Sequence, residues 1–289
     1  MKNLLFILLV FIISEQSYSQ VSDGLVGHFT FNNGSFTDLA GYNDCVLSAN
    51  GDSTFYLTND RFENQEYAIE FQGAVLNAGI TSRDITNEVT VSLWMKTSVN
   101  PEETKFVINK YYCVEPPQGY HMAVNGDSVT FDGRDNTPLG YMRSGWSETA
   151  INDGEWHHVV GLARAEGIWE IWVDAHKESS NTYAPLSELN HSFCNLGIAG
   201  PDFINETRIY IGILDDIRIY NRALDSLEID SLFNEPNPVS AGFLNHPANS
   251  LLQQVSPNPF TTSTTISYTL DKPQNVQFTV YNVQSQIVF

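Results

Sequence analysis

Positive charge is scarce in this chain. Only 14 Lys and Arg residues stand against 34 Asp and Glu, a formal net charge of −20 over 289 residues. A surface that acidic repels phosphate backbones and anionic membranes, which argues against nucleic-acid binding. It suits uncharged partners and divalent cations. Catalytic signatures are also missing: there is no G-x-S-x-G elbow, no H-E-x-x-H helix and no phosphate-binding loop. A pair of carboxylates meeting across the fold stays open, because retaining glycosidases need only about 5 Å between two such groups.

Long apolar runs are confined to the N-terminus. In "MKNLLFILLVFIISEQSYSQ", Lys2 gives a positive start, Leu4 to Ile13 are unbroken apolar residues, and Ser17 and Ser19 are small. The run is too short to span a bilayer and has the form of a secretory signal cut after Ser19. Residues 1–19 are therefore expected to be removed on export to the outside or the outer cell surface. No later segment is long and apolar enough to cross a membrane as a helix. Cysteine is sparse, with three residues, Cys45, Cys113 and Cys194, and no C-x-x-C pair. That argues against a zinc ribbon or a redox motif. An oxidising compartment permits one disulfide. Cys113 with Cys194 is the pairing expected, since both sit in polar, loop-like surroundings and Cys45 adjoins an Asn-Asp turn.

What is present is short alternating strands. "LVGHFTF", "YAIEFQG", "VTVSLWMKT", "GYHMAVNGDSVTFDG", "WHHVVGLAR", "IWEIWVDA" and "RIYIGILDDIRIY" follow one another, separated by Asn-Gly and Asp-Gly turns. Such spacing with almost no helical period predicts an all-β fold, an antiparallel two-sheet jelly-roll sandwich. "MAVNGDSVTF" reads as a hairpin with a two-residue turn at Asn125–Gly126. Trp94, Trp156 and one of Trp169 and Trp172 are expected in the core. On a strand His157 and His158 point to opposite faces and cannot chelate one metal together, so they read as packing residues.

One helix is expected, over "LDSLEIDSLFNEP". Asp225 fits an N-cap, Glu228 completes a capping box, and Leu224 with Ile229 is placed as a staple. Ile229, Leu232 and Phe233 form an apolar stripe, and Pro236 ends the element. The same residues nearly spell E-I-D-x-x-E, the catalytic strand of lichenase and laminarinase glucanases. On a helix, however, Glu228 and Asp230 point roughly 200° apart, and the final glutamate, Glu235, falls two places late. The capped helix accounts for the stretch.

Residues 237–250 lose all periodicity and read as a linker. From Leu251 to Phe289 two strand patterns return, "STTISYTL" and "NVQFTVYNV", and the sequence stops within what looks like a further strand, as a fragment would.

Two resemblances extend this reading. "GLVGHFTF", "TDLAGYNDC", "AIEFQGAVLNAG", "NDGEWHHVVGLARAEGIWEIWVDAHK" and "IGILDDIRIYNRALDSLEI" occur in the order found in the laminin-G-like, concanavalin-A-like jelly rolls. The domain this implies spans residues 20–236, with its one short helix at the C-terminal end. The tail at 251–289 resembles the start of a type IX secretion sorting domain, a partial small β domain, which implies contact with that secretion machinery.

The first resemblance implies a structural calcium. "TDLAGYNDC" offers Asp38, Asn43 and Asp44, and calcium takes six to eight oxygens. Related jelly rolls tie this loop to an Asp on the closing strand, and Asp215 is in place, alternating with Ile213, Ile217 and Ile219 on the expected inward face. The alternative is that Asp215 accepts backbone N–H groups and Asp38 caps a turn. For a ligand, Tyr111, Tyr112, Tyr120, Tyr141 and Trp146 fall in or near loops, where sugar rings stack. Arg134, Asp135 and Asn136 supply groups for hydroxyls. The expected function is a non-catalytic module for carbohydrate recognition or adhesion. A protein-binding adhesion domain without a glycan is the second expectation, and a diverged polysaccharide-degrading enzyme the third; fold alone does not choose among them.

Overall fold

The computed structural model describes residues 21–40, 54–79, 85–111, 117–135, 140–189, 195–201, 208–237, 252–256 and 265–268. Gln20–Glu235 form one unit built of two antiparallel sheets. The larger sheet holds β1 (Leu25–Phe29), β2 (Thr54–Thr58), β3 (Ala68–Gln72), β5 (Val89–Lys96), β10 (Trp156–Ala163), β11 (Ile168–Val173), β12 (His176–Thr182) and β14 (Ile211–Tyr220). Its order is β12-β11-β10-β5-β14-β3-β2, with β1 also paired to β14. The smaller sheet holds β4 (Leu76–Asn77), β6 (Lys105–Lys110), β7 (Gly119–Asn125), β8 (Ser128–Arg134), β9 (Met142–Trp146) and β13 (Gly197–Ile198), in the order β4-β13-β6-β7-β8-β9.

Alternation along each strand builds the core between the sheets. Val89, Val91, Leu93 and Met95 of β5 point inward, as do Trp169, Ile171 and Val173 of β11. They meet Tyr120, Met122, Val129, Phe131 and Met142 of the smaller sheet. The layers approach closely at Gly161, where an added Cβ would lie 2.4 Å from the Phe131 ring. Trp169 is central to this core, whereas Trp156 is only half-buried.

A second cluster lies on the opposite face of the larger sheet. Val160, Leu162, Trp172 and Tyr220 point there and are covered by Leu224, Ile229 and Leu232. The covering element is α1 (Ser226–Phe233), with Asp225 as N-cap and the full capping box to Glu228. The staple residues Leu224 and Ile229 are fully buried. Each such side chain contributes about 1.5–3 kcal/mol and the cap about 1 kcal/mol, enough to hold an eight-residue helix that would not persist in isolation. Glu228 is bound twice by the Arg222 guanidinium, at 2.8 and 2.6 Å, which gives the would-be glucanase acid a helix-end role.

Strand β14 departs from the expected phase. Leu214, Ile217 and Ile219 enter the main core. Asp215 pairs across the sheet with Trp94, on the helix-covered face, and so does not share the inward face with Ile217 and Ile219. The cause is a register shift between Asp215 and Arg218, where Asp216 adopts φ 49°. The bulge resets the alternation by one residue.

In the other unit, β15 (Leu252–Ser256) pairs with β16 (Thr265–Tyr268). β16 falls within the predicted "STTISYTL" strand. The predicted "NVQFTVYNV" strand lies outside the described residues, as do Cys45, Cys113 and Cys194. Among the described residues no helix is long and apolar enough to cross a membrane.

Candidate ligand-binding face

The smaller sheet turns its second face away from the core. Four neighbouring strands place one residue each in a cross-strand row there: Asn109 opposite His121, His121 opposite Asp132, and Asp132 opposite Arg143. Residues so paired stand about 4.5–5.5 Å apart and interact directly. The Gly126–Asp127 turn sets this register, because it leaves Asn125 opposite Ser128 and Val124 opposite Val129.

Asp132 is the hub of the row. Its Oδ2 accepts from the Tyr141 hydroxyl at 2.7 Å and from Arg143 Nε at 3.1 Å, and its Oδ1 accepts from the Thr130 hydroxyl at 2.7 Å. His121 Nε2 lies 3.7 Å from Oδ2 and 3.0 Å from the Tyr141 oxygen. Burial alone would raise the Asp132 carboxyl. The hydrogen bond and charge of His121, with the Thr130 and Tyr141 hydroxyls, outweigh it and hold the group below its ordinary value. Burial and the Asp132 charge together push the Tyr141 hydroxyl far above the usual phenol range, so it donates and stays protonated. Asn109 is 1% exposed, and neither its Nδ2 nor its Oδ1 has a hydrogen-bond partner. A buried amide in that state costs about 1–3 kcal/mol.

Three residues of the β9 region form the exposed rim. The Arg143 guanidinium lies 5.4 Å from the Tyr141 ring and 5.1 Å from the Trp146 ring, a cation between two aromatic faces. Arg143 and Trp146 are three residues apart, so a regular strand would put them on opposite faces. A bulge prevents that: Thr130 faces Trp146 and Asp132 faces Arg143, two steps on β8 against three on β9. Gly145 takes the extra step at φ 100°, and a Cβ there would lie 2.2 Å from Ser179 Oγ. Tyr141 is 42% exposed and Trp146 half-buried, so both rings reach solvent.

The sequence-predicted ligand residues divide clearly. Tyr141 and Trp146 lie on this face. Tyr111 lies on it too, packed edge-on 6.2 Å from Tyr141, but is 4% exposed. Arg134 ends β8 two residues beyond Asp132, on the same side by alternation, and is half-buried. Tyr120 is a correction: strand alternation turns it into the core against Phe131. Asp135 is a second: it is buried and accepts from the backbone N–H and hydroxyl of Ser187, which ties down the 183–189 segment. Tyr112 and Asn136 lie outside the described residues. Asn109, His121, Asp132 and Arg143 were not foreseen.

Asn43 and Asp44 of the expected calcium set also lie outside the described residues. Its two described members have partners within the protein. Asp38 Oδ1 accepts from the His28 and Ala40 backbone N–H groups at 2.8 and 2.9 Å, an Asx-type turn cap. Asp215 Oδ2 accepts from Arg61 at 3.2 Å. The Arg61 guanidinium, together with a backbone hydrogen bond at Asp216, meets that buried charge. Neighbouring Asp216 binds His28, Arg61 and Arg218, and Arg218 forks onto Glu235 at 2.7 and 2.6 Å. This network sits beside the stacked Trp94 and Phe233 rings and ties β1, β14 and the end of α1 together. His157 and His158 take separate places, as alternation requires. His158 bonds Ser92 Oγ at 2.8 Å, and burial, aided by Arg61, lowers its pKa to about 3. That Ser–His pair is closed to solvent, with Ser92 2% and His158 1% exposed.

A family model described as the concanavalin A-like lectin/glucanases superfamily matches residues 69–230, more than half of the chain. The chain belongs to this superfamily. No curated protein matches it. Among solved structures, it resembles the binding domain of Paraclostridial Mosquitocidal Protein 1, with a TM-score of 0.54 and 15% identity over 74% of this chain. It likewise resembles the binding domain of botulinum neurotoxin DC in complex with SialylT, at 0.54, 14% and 74%. The chain spans about half of those two, 53% and 52%. It also resembles domain 4 of AbnA, a GH43 extracellular arabinanase from Geobacillus stearothermophilus, in complex with arabinotriose, at 0.55 and 16% identity, covering 73% of this chain and 98% of that one. At these identities the likeness shows the shared fold.

Proposed function

We propose that this superfamily member is a non-catalytic carbohydrate-binding module acting outside the cell, with the outer face of the smaller sheet as its ligand surface. The observation that carries the proposal is the Tyr141–Arg143–Trp146 ladder, fixed from below by Asp132. Aromatic faces give a sugar ring its apolar contact, and preset polar groups beside them orient it. The row holds one carboxylate, Asp132, and three donors already engage it, so it supplies no acid–base pair of the kind glycoside hydrolysis uses. The solved arabinotriose and SialylT complexes of similarly folded domains support a sugar ligand. The apolar N-terminal run and the sorting-domain-like tail support export and display at the outer surface. A glycan array probed with the full chain tests the proposal. Specific binding lost in Tyr141→Ala and Trp146→Ala is expected, whereas a blank array from a folded sample would turn the assignment to a protein partner.

A further inference from the structure

The charge of this face runs against the charge of the chain. The side chains that β6 to β9 direct outward include one described carboxylate, Asp132, and two guanidinium groups, Arg134 and Arg143. The chain has a net charge of −20, yet among these described outward side chains guanidinium groups outnumber carboxylates. Elsewhere arginine is spent on internal pairing: Arg61, Arg164, Arg218 and Arg222 each hold a carboxylate.

Arg143 is set for an outside partner. Its Nε is committed to Asp132. The fork of its two terminal nitrogens projects between the Tyr141 and Trp146 rings, on a side chain 41% exposed. A guanidinium fork matches a planar carboxylate, or two oxygens of a sulfate, in bidentate geometry. At the far end of the same row, three strands away, the buried Asn109 amide leaves its Nδ2 and Oδ1 without partners. The strongly acidic balance of the whole chain disfavours a polyanion on other faces.

Resting on the carbohydrate-binding reading above, we propose that the ligand is an anionic polysaccharide, with a sugar carboxylate or sulfate seated on Arg143 and the sugar rings on Tyr141 and Trp146. The test compares polymers that differ only in charge, using the full chain. Polygalacturonate is set against its highly methyl-esterified form, and dextran sulfate against dextran. The charged member of at least one pair is expected to bind about tenfold or more tightly than its neutral partner, and the preference should collapse in Arg143→Gln. Which pair shows it assigns the anion to carboxylate or to sulfate. Equal or better binding of the neutral polymers overturns this inference and leaves the carbohydrate reading standing. A preference that survives Arg143→Gln, with Arg134→Gln equally silent, overturns the site. No binding to any glycan by a folded chain overturns the carbohydrate reading itself. Circular dichroism of each variant separates lost binding from lost fold.

Discussion

The Tyr141 hydroxyl donates to Asp132 Oδ2 at 2.7 Å, and the same oxygen takes Arg143 Nε at 3.1 Å. One buried carboxylate thus aims both an aromatic ring and the cation lying over it. Asp132→Ala is expected to cost about 1–3 kcal/mol of stability, because buried donors lose their acceptor. It should also weaken glycan binding, since Tyr141 and Arg143 lose their fixed geometry. Asp132→Asn keeps an acceptor and should be milder on both counts. Urea unfolding together with titration of a bound glycan checks the pair.

Gly145 makes the ladder possible, so Gly145→Val should act on the site through the backbone. At φ 100°, with Ser179 Oγ 2.2 Å from the would-be Cβ, a side chain both strains the bulge and collides with β12. A loss of about 1–3 kcal/mol is expected, with Trp146 displaced from Arg143. Changes in Trp146 exposure to a fluorescence quencher, beside unchanged far-UV circular dichroism, would register it.

The two adjacent histidines should give a stability maximum near neutral pH. His158 is buried neutral, with its pKa lowered to about 3, so the unfolded chain binds one more proton once pH falls below about 6.5. Stability should then fall by about 1.4 kcal/mol per pH unit toward pH 3 from this group. His157 has the opposite sign. Its hydrogen bond to Asp174 raises it against the effect of burial. Its contribution is complete below about 6.5 and fades as pH rises through the raised value. Urea midpoints of His158→Gln should lose most of the acid slope, and those of His157→Gln the alkaline one. Unchanged slopes would contradict the assignment.

Arg218 neutralises two largely buried carboxylates, Asp216 and Glu235, at once. Burial alone would raise Asp216, but Arg218, His28 and Arg61 hold it well below the ordinary range. Arg218→Leu leaves Asp216 and Glu235 short of their shared cation and should cost about 3–5 kcal/mol. Arg218→Lys, which keeps charge without the fork, should cost less. Thermal unfolding at pH 7 orders the two.

Because Arg61 meets the Asp215 charge, added calcium is expected to leave the melting temperature where a chelator leaves it. A rise with calcium would mean that the ion binds the native state and would return attention to Asn43 and Asp44.

The fold was legible because its signals are local. Period-two strands, Gly-containing turns and the "LDSLEI" cap each act within a few residues, and the helix formed with its cap and staple where expected. The site was harder to see because it depends on register. A turn read at Asn125–Gly126 pairs His121 with Thr130. The turn formed at Gly126–Asp127, one residue on, pairs His121 with Asp132 and creates the row. Two bulges hid the rest. Asp216 turned Asp215 away from the core, and Gly145 brought Trp146 round to Arg143. Tyr120 differs for a plainer reason: its stretch borders loop signals, but the residue lies inside β7, where alternation sends it inward.

The most direct test of the account is the affinity of the full chain for a glycan selected on an array, measured by calorimetry beside Trp146→Ala and Tyr141→Ala. Folded variants weakened about tenfold or more would establish the outer face of the smaller sheet as the ligand surface. Affinities within twofold of the parent chain would place the ligand elsewhere and contradict the account.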